Sequence, residues 1–236
     1  MKNNIIIAIS LYCALLVAPA FAVERDVQFT SVNFDSGVAI LTNLGTSSES
    51  LAGWRFCSHN TSLVRRYSDS GGLNSITLAP GETLAIHYNN DATAANEINI
   101  STIGGNFAAL EREAYGLQVY FPPISFGNGA TIADHLQWSV DGIDNTTADD
   151  RSDEAEAGGL WIDQSDWISI AADSSQVDLN DLTGAVLHSP ANYVVDEPPV
   201  DPPAEPTLNI PVLPLPFMIG MIAAFGLIVR YAIKQR

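Results

Sequence analysis

The chain has 236 residues, with 27 acidic side chains against 10 basic ones and a formal net charge of −17. From Glu24 to Glu205 all 27 acids face six arginines and no lysine, a charge of −21 over that span. Such a surface repels nucleic acid and anionic lipid, so nucleic-acid binding is the partner class most clearly disfavoured.

The first 22 residues read as a signal peptide. Lys2 supplies the basic start, an apolar run covers positions 5–17, and Ala20-Phe21-Ala22 is the small-x-small pattern that precedes cleavage. Tyr12 before Cys13 is too bulky for a lipobox, which argues against lipidation. Removal of this leader leaves Cys57 as the only cysteine, so the exported body must hold together without an intramolecular disulfide. Cys57 itself reads as a small buried residue of a strand.

Residues 23–195 form one domain's worth of chain. Its organising stretch is 37–58, GVAILTNLGTSSESLAGWRFCS, read as two apolar strands at 38–41 and 54–57 with further strands laid against the pair. Apolar residues on both sides of 38–41 suit a central strand covered on both faces. Period-two alternation then recurs in short runs: Val27/Phe29 against Gln28/Thr30, Leu84/Ile86/Tyr88 against Ala85/His87, Leu117/Val119/Phe121 against Gln118/Tyr120, and Leu136/Trp138/Val140 against Gln137/Ser139. Ala79-Pro80-Gly81-Glu82 suits a type II turn, with proline presetting φ at the second position and glycine accepting positive φ at the third. Trp54 and Trp138 read as core, while Trp161 and Trp167 stay open as sugar-stacking platforms. His87 points outward on its strand. Positions 152–157 suit one helical turn, and the segment 89–112 is too poorly patterned to place strands. Seven or eight short strands with such breaks imply an all-β, immunoglobulin-like β-sandwich.

Several motifs in order carry a resemblance: Phe29 to Val32, VAILTNLG at 38–45, LAGWRFC at 51–57, LAPGETLAIH at 78–87, then 116–120, ADHLQW at 133–138 and AGGLW at 157–161. Together they resemble the lamin-tail domain in its bacterial form, over about residues 26–172. The resemblance implies a compact immunoglobulin-like sandwich and a scaffolding or interaction role. The chain departs from it by a long acidic insertion at 141–156.

Five of the nine residues from Pro198 to Pro206 are proline, so 196–209 reads as an extended, hydrated spacer. Residues 210–236 follow as an anchor. Every residue from Phe217 to Val229 is apolar or glycine, and a helix to Ile233 would span about 27 Å, enough for a bilayer core. Arg230, Lys234 and Arg236 at the far end keep that side cytoplasmic and the body outside. Pro-rich motif, short apolar helix and basic tail also resemble the C-terminal sorting signals cut by exosortase-type enzymes of Gram-negative bacteria, with Ile210-Pro211-Val212-Leu213-Pro214 carrying the likeness. That resemblance implies a processing enzyme as a partner and release to the cell surface after cleavage.

No catalytic residue or cofactor-binding motif is read from this chain. It has no Gly-x-Ser-x-Gly elbow, no His-Glu-x-x-His pair and no phosphate loop followed by lysine. Calcium is the one cofactor weighed: Asp141, Asp144, Asp149, Asp150 and Asp153 offer hard oxygen ligands, though not in EF-hand register, and a solvated acidic loop is the default. The sequence therefore predicts a non-enzymatic, membrane-anchored interaction module displayed outside the cell, binding an envelope or extracellular protein or a polysaccharide. The alternatives are an exported hydrolase using carboxylates of the acidic loop and a calcium-dependent carbohydrate-binding module.

Overall fold

The computed structural model describes residues 25–61, 66–104, 107, 109–143 and 151–196. The leader, the spacer, the apolar C-terminal segment and most of the acidic loop lie outside the described residues. Among those described, no helix is long and apolar enough to cross a membrane.

The fold is built from strands: β1 (Val27–Asn33), β2 (Val38–Asn43), β3 (Glu49–Ser50), β4 (Arg55–Asn60), β5 (Arg66–Tyr67), β6 (Thr77–Leu78), β7 (Thr83–His87), β8 (Glu97–Asn99), β9 (Ala114–Tyr120), β10 (Ile132–Val140), β11 (Ile168–Ile170), β12 (Gln176–Leu179) and β13 (Tyr193–Asp196), with one short helix, α1 (Ser152–Ala157). A six-stranded sheet runs in the order β13-β12-β1-β2-β7-β8, a five-stranded sheet in the order β11-β10-β9-β4-β5, and β3 pairs with β6 alone. The β7/β8 and β10/β11 pairs are parallel and the remaining pairs antiparallel.

The inner faces of the two large sheets share one apolar core. Phe29 of β1 meets Phe56 of β4 at 6.3 Å between ring centroids, and Phe34 meets the edge of Trp138 at 5.5 Å. Tyr115 stacks on Trp138 at 5.1 Å. These rings bury large areas without any covalent cross-link, and Cys57 is buried and outside any disulfide. The alternation of β7 is realised as expected, with Leu84, Ile86 and Tyr88 all buried. Gly81 takes φ +76° in a turn closed by Glu82 N–H donating to Ala79 O, as a Pro-Gly pair dictates.

Two sequence expectations are corrected. The segments 38–41 and 54–57 are not a pair: β2 belongs to the six-stranded sheet and β4 to the five-stranded one. The polar loop between them carries the chain from sheet to sheet and contributes β3 on the way. β2 is central in its sheet, between β1 and β7, but Val38 and Ile40 are half-buried, so only its inner face is fully covered. Conversely, every residue of β9 is buried, as is β10 up to Ser139, so their polar faces are covered as well. The cover is the parallel crossover from β10 to β11, which carries α1 and Trp161 over the outer side of the five-stranded sheet.

Candidate functional site

Of the calcium candidates, Asp141 and Asp153 are described. Asp141 sits exposed in a turn at φ +68°, and Asp153 is exposed in the first turn of α1. Asp144, Asp149 and Asp150 lie outside the described residues. Glu154, from the same acidic stretch, is ion-paired with Arg151. Among the described residues no group of three or more His, Cys, Asp or Glu side chains converges on a metal-sized site.

Chemistry-bearing side chains do converge in two buried places. On the outer face of the five-stranded sheet, Cys57, Gln118 and His135 lie in one row across β4, β9 and β10, with His59 and Gln137 in the next. All five are at most 1% exposed. Gln118 Nε2 donates to His135 Nδ1 at 3.1 Å, His135 Nε2 donates to Gln137 Oε1 at 2.8 Å, and Gln137 Nε2 donates to the carbonyls of Asp166 (2.7 Å) and Gln164 (3.2 Å). The direction of this relay assigns the neutral Nε2–H tautomer to His135. Cys57 Sγ lies 3.2 Å from His59 Nε2. Trp161 closes over His135 edge-on, with its Nε1–H donating to Asp166 O. This chain of bonds stitches the crossover to the sheet.

The second buried cluster ties the two sheets together. β12 pairs with β1 only at Ser31, Val32 and Asn33, and beyond that ladder the Phe29 N–H donates to Asp134 Oδ2 of β10 at 2.6 Å. Asp134 Oδ1 faces His188 Nδ1 at 3.7 Å, and Tyr193 Oη lies 3.3 Å from the same nitrogen. Burial would lower the His188 pKa, but the facing Asp134 carboxylate outweighs it and the net shift is upward. Nearby, Arg25 donates to the carbonyls of Gly158 (2.6 Å) and Gly129 (3.1 Å), whose backbones touch so closely that a side chain on either would collide with the other's main chain. These contacts satisfy buried backbone and hold the N-terminal strand, a structural task.

The accessible candidate is a cleft of about 370 Å³ at one end of the six-stranded sheet. Its floor is aliphatic, with Leu78, Leu84 and Ile103 each 2% exposed and Ile76 and Ile98 half-buried. Its rim is polar and exposed, with Thr77, Glu82, Asn96 and Thr102. Glu82 is fixed by accepting the Ala79 N–H at 2.9 Å. An aliphatic floor with a few polar groups around it is an arrangement that suits a bound ligand.

Sequence reasoning missed this cleft, because one wall of it, with Ala95, Asn96, Ile98, Thr102 and Ile103, comes from the segment 89–112 that showed no strand pattern. The two tryptophans kept open as sugar platforms are corrected: Trp161 is 1% and Trp167 4% exposed, so neither offers a face to a ligand. Trp54 and Trp138 are core, as expected. His87 is on the outward face of β7 but half-covered, flanked by Asp91 on one ring nitrogen and by Glu97 at 3.5 Å on the other. No protein-family model matches this chain, and no curated protein matches it.

Proposed function

We propose that the chain is a non-enzymatic interaction module whose body is an immunoglobulin-like sandwich of the lamin-tail kind, held outside a membrane by the Pro-rich spacer and the final apolar helix. The observation that carries the proposal is the disposition of the six-stranded sheet. Its outward side keeps Val38, Ile40 and Ala85 partly exposed, and its far end opens into the cleft. Two sheets around one core support the sandwich, while the parallel β7/β8 and β10/β11 pairs are this chain's own departure from an all-antiparallel plan. Support for display comes from β13, which is hydrogen-bonded to β12 and ends at Asp196, where the spacer begins. In this arrangement the body binds an envelope or extracellular protein or polysaccharide, and the terminal segment is the membrane anchor and the substrate of an exosortase-type enzyme.

The test is made on the full chain produced in a Gram-negative host. Protease added to intact cells or spheroplasts should digest the body but spare the basic tail. Mass spectrometry of the protein should show a start at Val23 and, where the host has an exosortase-type enzyme, a shortened C-terminus. A body protected inside the cytoplasm, or hydrolytic turnover lost with deletion of the acidic loop, would overturn the proposal.

A further inference from the structure

The geometry points to the cleft as a docking groove for one short, extended, cationic peptide segment, which adds as a strand beside Thr83 and sinks an aliphatic side chain onto the Leu78–Leu84–Ile103 floor. This inference rests on the interaction-module reading and names the class of partner.

The first support is a gap in the sheet. β7 pairs with β2 from Thr83 to His87, but with β8 only at Ala85, Ile86 and His87. Ala85 N–H donates to Asn96 O at 3.0 Å, which fixes the side its main chain faces. In an antiparallel ladder residues two apart face the same way, so Thr83 aims its N–H and C=O to that side too, where no strand among the described residues pairs with it. β6 is the strand that the Pro80-Gly81 turn would return alongside β7. It pairs instead with β3, through Glu49↔Leu78 and Ser50↔Thr77. The space left between β6 and β8 is the cleft. An exposed main-chain edge above an aliphatic floor is the arrangement that strand addition uses, with backbone bonds supplying affinity and pockets for alternate side chains supplying selectivity.

Charge sets the sign of the occupant. Among the described residues that line the cleft Glu82 is the one ionisable side chain, and residues 24–205 carry −21 with no lysine. A cationic segment is drawn to such a surface and an acidic one is repelled. No aromatic ring is among the described lining residues, so they lack the flat platform on which a sugar face packs. A peptide therefore fits the cleft better than a saccharide.

The experiment titrates the full chain in detergent with the capped peptide Lys-Val-Thr-Val-Lys by isothermal calorimetry. Its counter-probes are Glu-Val-Thr-Val-Glu, the basic peptide N-methylated at its two valines, and cellopentaose. Saturable binding of the basic peptide is expected, with at least about tenfold weaker binding of the acidic and N-methylated forms. Ala95→Trp and Thr77→Arg, both at exposed rim positions, should abolish binding while leaving the melting temperature unchanged. Glu82→Gln keeps the acceptor for Ala79 and should weaken binding about threefold, with a flatter salt dependence. No heat with the basic peptide at millimolar concentration would overturn the proposal. So would equal binding of the N-methylated form, binding that survives both rim variants, or displacement by cellopentaose. Failure here with a protease-exposed body condemns the groove alone, whereas a body found in the cytoplasm condemns the interaction-module reading whatever the titration shows.

Discussion

The outward faces of the two large sheets carry similar residues and meet different fates. On the five-stranded sheet, Cys57, Gln118, His135, Gln137 and Ser139 are all fully buried. On the six-stranded sheet, Ser31, Val38, Ile40 and Ala85 occupy the corresponding outward positions and stay partly exposed, with burial confined to Gln28, Thr42 and most of His87. By polarity alone the first set belongs in water at least as much as the second. Each sheet contains a parallel pair, and the difference lies in the connections: the chain between β7 and β8 (88–96) is short, whereas the chain between β10 and β11 (141–167) carries α1 and Trp161 over the outer face of its sheet. Trp161 rides on that connection and seals it. The glutamines and the histidine beneath are tolerated because they bond to one another in the Gln118–His135–Gln137 relay, while the Ser139 hydroxyl is buried without such a bond.

This contrast can be broken at several points, the largest effect first. Trp161→Ala should destabilise the body by about 4 kcal/mol in urea denaturation, by removing a fully buried aromatic seal. The same variant should make Cys57 react with a maleimide under native conditions in which the parent's Cys57 does not, as read by peptide mapping. Asp134→Ala should cost about 3 kcal/mol, since it strands the Phe29 N–H in the core and removes the carboxylate facing His188.

A smaller effect is expected from pH. The folded pKa of His188 lies above its unfolded value, so its contribution is fully present below the unfolded value of about 6.5 and is lost as pH rises through the folded one. Denaturation midpoints of parent and His188→Gln should therefore differ most at pH 6 and converge toward pH 9. If the two curves run parallel, the Asp134–His188 contact is not electrostatic. Least of all, Ile40→Thr on the half-exposed face should shift stability by about 0.5 kcal/mol or less, while raising no reactivity at Cys57. A shift as large as that of Trp161→Ala would mean that the outward face of the six-stranded sheet is covered after all.

Much of this molecule is legible from neighbouring residues. The alternation at 84–88, the Pro80-Gly81 turn, the single helical turn at 152–157 and the burial of Trp54 and Trp138 follow from side-chain period and backbone sterics, which act over a few positions. The cleft was not legible. Of its floor, Leu84 stood in a recognised strand, but Ile98 and Ile103 came from a stretch with no pattern. Nothing near Thr77 reveals that β6 abandons β7 for β3. The polar face of the five-stranded sheet misled in the opposite sense, because alternation marks which residues share a side and is silent on whether that side is wet.

Local chemistry thus specified strands, turns, the anionic character of the body and its lack of a disulfide, since each depends on residues read one at a time or in short runs. The allocation of β2 and β4 to different sheets, the sealing of one polar face and the gap beside Thr83 came from long-range pairing. Every strand has two edges that any other can fill, and the choice is made by the packing of the whole core rather than by the strand itself.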